Sequence, residues 1–310
     1  MNAILLALAS MLCAAVNDFL FKLYARKGDS IGAYLALIGL IWTVVFAALA
    51  GFDGARLMAP VTLRWGLLSG GFSILANILL LAAMARMDVG VASTIYRLNL
   101  APAAVLAVLL LHESATPAKA AALLCAVAAV ILVCRPRPAA GPAAGVGLSS
   151  DGVARTLDDG GAARPGRRLP WVSAGTALVI LGCLLRAGMG VAYKAGLLQG
   201  ADAYGMMTLN GLAWLAGGWL YHRYAGRHRP AGMATYAFGA PSGALVCGIV
   251  LFLIWALQRG EASIVLPVAQ LSFVVTSLLG AAILHEALTR RKLAGIGLAC
   301  LCVVLLALKA

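Results

Sequence analysis

Two stretches of this chain repeat one another across half its length. Residues 109–133 read LLLHESATPAKAAALLCAVAAVILV, and residues 282–307 read AILHEALTRRKLAGIGLACLCVVLLA. Each holds the end of an apolar run, a His-Glu pair, a short polar turn and a second apolar run. The pairs His112-Glu113 and His285-Glu286 lie 173 positions apart (285 − 112). Earlier residues echo at almost the same shift: Lys22 falls on Lys194, Gly39 on Gly211 and Trp42 on Trp214, each at 172 (214 − 42). A period this long marks a duplicated half rather than a solenoid unit. The chain divides into a first repeat at 1–134, a connector at 135–170 and a second repeat at 171–310.

Composition says what the halves are made of. Hydrophobic residues make up 63% of the chain and charged residues 11%, with a mean hydropathy of +0.96. Soluble domains carry about 25% charge, so a water-surrounded core is excluded. Windows of roughly 20 apolar residues suffice to cross a bilayer, and ten fit, five in each repeat. They lack the alternation of a barrel strand, so helices are expected. The spans are predicted at about 2–24, 31–51, 64–84, 89–111 and 117–133, then 171–197, 203–221, 237–257, 262–284 and 290–308. Thr116-Pro117 and Thr289 are expected helix starts. The connector is rich in Pro, Gly, Ala and Arg without apolar periodicity, the composition of a disordered linker.

An odd number of spans per repeat inverts the second half relative to the first, an arrangement many secondary transporters share. The fold class is therefore an all-α polytopic membrane protein of ten transmembrane helices in two inverted five-helix repeats. The net charge of +13 sits mostly in loops after odd-numbered spans, including six arginines of the connector. The opposite side has only Arg56, Arg64, Lys119, Arg259 and Lys309. Loop charge thus places the connector in the cytoplasm and both termini outside, in the inner membrane of a bacterial-type cell. Basic loops of this kind meet lipid phosphates, and nucleic acid is not an expected partner.

The doubled pattern resembles the EamA-type members of the drug/metabolite transporter superfamily. The aliphatic run followed by Glu and Thr is matched at Glu113–Thr116 and more closely at Glu286–Thr289. A lysine late in the first helix of a repeat is matched by Lys22 and Lys194. A proline often found in the fourth helix of a repeat is displaced: Pro102 stands about two positions late, and the second copy has Phe273. The resemblance implies export or exchange of amino acids, metabolites, nucleotide sugars or drugs without ATP, and it implies cytoplasmic termini where loop charge places them outside.

Ionisable groups inside a span cost at least about 2.5–3.5 kcal/mol each on insertion scales, so they face a cavity or a partner. Here they are Asp18, Lys22, Arg97, Arg186 and Lys194, one acid against four bases. Arg97 and Arg186 lie near mid-span, and a guanidinium fork suits carboxylate or phosphate. These two arginines are the candidate substrate-binding cations, with Tyr96, Asn99, Asn77 and Gln270 as orienting hydrogen-bonding groups. The alternative is that either arginine pairs with Asp18 or with helix-end carbonyls. Asp18, the deep carboxylate, is a candidate for proton coupling or for an i,i+4 pair with Lys22.

His112-Glu113 and His285-Glu286 lack the second histidine of a zinc-protease helix. Glu113 and Glu286 are expected instead to serve as structural groups at the N-terminus of the following helix. No catalytic residue, metal site, cofactor or ATP-binding signature is expected, and the seven cysteines read as packing thiols.

The function expected is secondary transport of a small metabolite, anionic or zwitterionic, such as an amino acid or organic acid, by alternating access. A lipid-carrier flippase of related fold and a multidrug exporter are the alternatives. Its partners are a small-molecule solute and membrane lipids. Loose GxxxG-like spacing at Gly66 and Gly70 leaves monomer and homodimer both open.

Overall fold

The structure is a computed structural model that describes residues 2–25, 30–52, 54–84, 86, 92, 95–134, 174–224, 231–284 and 289–307. The connector at 135–170, His285-Glu286 and the Lys22 side chain lie outside the described residues. Every described element is a helix or a turn. In the first repeat these are α1 (Ala3–Ala25), α2 (Ile31–Leu49), the short α3 (Gly54–Met58), α4 (Pro60–Met84), α5 (Leu100–Leu111) and α6 (Pro117–Cys134). The second repeat holds α7 (Ala174–Leu198), α8 (Ala203–Tyr224), α9 (Met233–Arg259), α10 (Ala262–Ala269), α11 (Ser272–Leu284) and α12 (Arg290–Ala307).

Helix ends follow local chemistry. Ser30 caps α2, its hydroxyl accepting from the Ala33 amide at 3.3 Å. Thr116 and Thr289 accept from the Lys119 and Lys292 amides at 3.3 and 3.4 Å, as hydroxyl caps do. The α4 and α9 helices begin at Pro60 and Met233, four residues ahead of the apolar runs that predict them.

Spans 4 and 9, expected as continuous helices at 89–111 and 262–284, are each broken. Ile95–Arg97 is helical, the chain turns at Leu98-Asn99, and α5 begins at Leu100. The second break, at Gln270-Leu271 between α10 and α11, falls 172 positions later (270 − 98). At both breaks amides donate three residues back: Leu98 and Asn99 to the Ile95 and Tyr96 carbonyls, and Gln270 and Leu271 to the Pro267 and Val268 carbonyls, Gln270 also keeping its bond to the Leu266 carbonyl. Pro102 fits the first break: without an N–H it cannot bond the Leu98 carbonyl four residues back, which accepts from the Ala101 amide at 3.0 Å instead. The second has no proline at the matching place; Pro267 stands three residues before it, inside α10.

The helices pack as an inverted duplication requires. Exchanging the repeats turns α1 against α9 into α7 against α4, α2 against α9 into α8 against α4, and α1 against α11 into α7 against α5; all six contacts are made. Pairs α2–α8 and α6–α12 map onto themselves and straddle the axis. At α2–α8 the backbones touch. A Cβ on Gly39 would stand 2.3 Å from the Leu215 nitrogen, and one on Gly211 would stand 2.7 Å from the Thr43 nitrogen. These are one contact seen twice, since 39 and 43 each become 211 and 215 on adding 172. Trp42 and Trp214 meet beside it with ring centroids 5.8 Å apart.

The outward faces carry large apolar side chains, among them Leu5, Leu12, Val44, Leu109, Leu124 and Leu181. In a chain of ten apolar spans these are lipid-facing, where exposure of hydrocarbon carries no penalty.

Candidate functional site

The two breaks meet between the repeats, together with the middle of α1 and α7. Arg97 ends the first segment of span 4, and Ser272 opens α11 directly after the second break. Arg97 Nη2 donates to Asp18 Oδ2 at 3.0 Å, and Arg97 Nη1 to Ser272 Oγ at 3.4 Å. Ser272 Oγ donates in turn to Asp18 Oδ2 at 3.3 Å, so three spans share one carboxylate. The guanidinium also lies over the Phe273 ring, 5.9 Å from its centroid. Of the expected pairings for Asp18, the one with Arg97 is made; the one with Lys22 falls on a side chain outside the described residues. The Arg97 and Asp18 side chains keep 25% and 33% of their surface accessible, so the pair lines an opening instead of a sealed core.

Arg186 stands at the midpoint of the 25-residue α7. Among the described residues its hydrogen-bond contact is Nη1 to Met189 Sδ at 3.7 Å, a weak acceptor on its own helix. Among the described residues no carboxylate lies within ion-pair distance of it. The Tyr96 ring packs over Gly182, one helical turn before Arg186, with Cε2 3.6 Å from where a Cβ would sit. Its hydroxyl is within electrostatic reach of both Arg186 and Arg97. That hydroxyl is buried without a partner, as is Asn17 Oδ1 beside Asp18 in the chain. Buried polar atoms in folded proteins are nearly always paired, so an orphan hydroxyl within electrostatic reach of two arginines is a chemical feature of the site.

The remaining polar candidates are placed as follows. Asn99 sits in the first break, and its Nδ2 donates to the Tyr96 carbonyl at 2.8 Å, supporting the turn that presents Tyr96 and Arg97. Gln270 sits in the second break, half-buried. Asn77 donates to the Ser73 carbonyl of its own helix at 2.8 Å. Tyr193, two turns beyond Arg186 and within its electrostatic reach, donates to Asn210 Oδ1 at 2.9 Å. Ser272, Phe273 and Met189 are close neighbours of the arginines that are not among the substrate-binding candidates read from the sequence.

Glu113 has a partner other than the one expected. Its carboxylate accepts from the Ala262 amide at 2.6 Å and the Ser263 amide at 2.8 Å, capping α10 of the opposite repeat instead of the adjacent α6. Distance along the chain hides this, because the cap spans 149 positions (262 − 113). Lys194 likewise binds backbone, donating to the Leu257 and Gly260 carbonyls at 2.6 and 2.8 Å.

A separate cavity of about 490 Å³ opens at the end of the protein that carries the α7–α8 turn, lined by Arg56, Thr62, Asp202, Tyr204 and Gln258. Below it Trp255 Nε1 donates to the Tyr204 hydroxyl at 3.4 Å, and Tyr204 packs on Phe46.

Comparison with known proteins agrees with this architecture. No curated protein matches the sequence. A solved crystal structure at 15% identity superposes over 99% of this chain and 97% of its own with a TM-score of 0.73, a likeness of fold alone. The EamA-like transporter family matches residues 1–135 and again residues 173–308, one match to each repeat. The chain belongs to the EamA-like transporter family, and is a multi-pass membrane transporter of the drug/metabolite transporter superfamily.

Proposed function

We propose that this transporter is a secondary carrier whose solute is a small organic anion or zwitterion, bound between the repeats at Arg186, Tyr96 and Arg97. One observation carries the proposal: Arg186 lies mid-membrane with a thioether as its hydrogen-bond acceptor and no carboxylate beside it among the described residues. An uncompensated guanidinium at that depth is costly unless an anion visits it. Asp18 already neutralises Arg97, so the carboxylate of the solute meets Arg186 first and the Tyr96 hydroxyl supplies a second donor. Asn99, Gln270 and Asn77 then orient its neutral part. Asp18 either holds Arg97 throughout or exchanges that contact for a proton as the solute arrives. The solute and the surrounding lipids are the partners, with no nucleic acid. The cycle alternates access across the inner membrane, with the connector on the cytoplasmic side.

The test is a thermal-shift screen of the purified protein against organic anions, amino acids, amines and neutral sugars, run beside Arg186→Gln. A ligand that binds only the folded state raises its melting temperature by mass action. Anions or zwitterions stabilising the parent but not the variant support the assignment. Stabilisation by amines or sugars alone, or equal shifts in the variant, refute it.

A further inference from the structure

The turn between α9 and α10 is gripped from three directions. Glu113, at the end of span 4, takes the first two amides of α10 with one oxygen each. Lys194, near the end of span 6, takes the Leu257 and Gly260 carbonyls. Lys119, at the start of span 5, pairs with the Glu261 carboxylate inside the turn and donates to the Ser114 carbonyl at 2.7 Å. A Cβ on Gly260 would lie 2.7 Å from that of Ala3, so α1 also closes onto the turn.

The signs are matched to the helix ends. The negative carboxylate meets the positive end of α10 and the ammonium meets the negative end of α9, each favourable with the helix dipole. Two acids and two bases make the cluster neutral, so it holds together without help from the solute. Charge-assisted bonds of this kind are roughly twice as strong as neutral ones.

We infer that Glu113 is a positioning residue for transport: with Lys194 it latches the α9–α10 turn to the ends of spans 4 and 6 and holds that face of the solute site shut. The inference rests on the alternating-access reading given above. Span 9 is broken at Gln270-Leu271, so α10 is a separate rigid segment between the latch at one end and the Ser272–Asp18–Arg97 contacts at the other. For α10 to swing away from α5 and admit solute from this face, both Glu113 bonds must part. The carboxylate therefore sets how often the face opens, without touching the solute.

The experiment reads access directly. Met189→Cys places a thiol beside Arg186, and a membrane-impermeant maleimide is applied to sealed proteoliposomes from inside and from outside. Phe52→Cys, exposed on the same face as the latch, identifies the side. Loss of one or two charge-assisted bonds in Glu113→Ala is expected to raise labelling from the latch face at least about tenfold, with labelling from the other face falling. Glu113→Gln keeps one acceptor and gives a smaller shift in the same direction; it also carries the test if the alanine variant fails to fold. One-sided labelling that neither variant alters overturns the latch and leaves alternating access standing, as does a rise from both faces equally. Equal labelling from both faces in the parent overturns alternating access itself, and the latch with it.

Discussion

Arg97 reaches from span 4 to Asp18 on span 1, nitrogen to oxygen 3.0 Å, and so carries a resident carboxylate where an anionic solute would otherwise bind. On the proposed function, Asp18 would be an internal competitor of the solute. Asp18→Asn leaves a neutral acceptor and removes one negative charge from the site, so anion affinity is expected to rise several-fold, on the order of 1 kcal/mol. Isothermal titration with the best anion from the screen measures this. Unchanged or weaker binding would mean that Asp18 orients Arg97 for the solute instead of occupying it.

The Tyr96 hydroxyl offers a separation of stability from binding. It is buried and unpartnered, and removing an unsatisfied buried group is neutral or stabilising by about 1 kcal/mol. Tyr96→Phe is therefore expected to melt at the same temperature or higher while binding the anion roughly tenfold more weakly. A variant that loses stability and keeps affinity would assign the hydroxyl a packing role.

Much of the fold was legible from apolar run length and from the repeat, because both are local or additive along the chain. The ten spans, their inversion and the Thr116 and Thr289 caps need nothing beyond neighbouring residues. The breaks in spans 4 and 9 were not legible. Pro102 marks the first only in hindsight, and Gln270-Leu271 are ordinary helix formers, with Pro267 just before them inside α10. In the site, burial economics picks out Asp18, Arg97 and Arg186 as residues that need partners inside the membrane; Asp18 and Arg97 pair with one another. Which partner each takes depends on contacts such as Asp18 with Arg97, 79 positions apart, and Glu113 with Ala262, which no local pattern encodes.

The glycine seats at the axis give a symmetric prediction. Gly39 and Gly211 face backbone atoms that cannot turn aside, at 2.3 and 2.7 Å from an added Cβ. Gly39→Ala and Gly211→Ala should each destabilise the protein by about 1–3 kcal/mol, the usual range for overpacking, and by similar amounts. Gly71→Ala, whose Cβ would enter open space, is expected to leave melting in detergent unchanged. Unequal losses at Gly39 and Gly211 would show that the two-fold relation is only approximate in energy.

The repeat also extends the latch. Glu286 corresponds to Glu113 at a shift of 173 (286 − 113). Glu286→Ala is expected to change maleimide labelling of Met189→Cys with the opposite sidedness to Glu113→Ala. The same sidedness from both variants would confine the latch to one face.

The α2–α8 contact has one further consequence. An interface in which residue 39 meets 215 and residue 43 meets 211 is isologous: both surfaces are the same patch. A lone five-helix unit, inserted into the membrane in both directions, would find on an oppositely oriented copy of itself the complementary seat for its own glycine. Fusion of two such units would then require no new interface, only a tether long enough to let the second copy enter upside down.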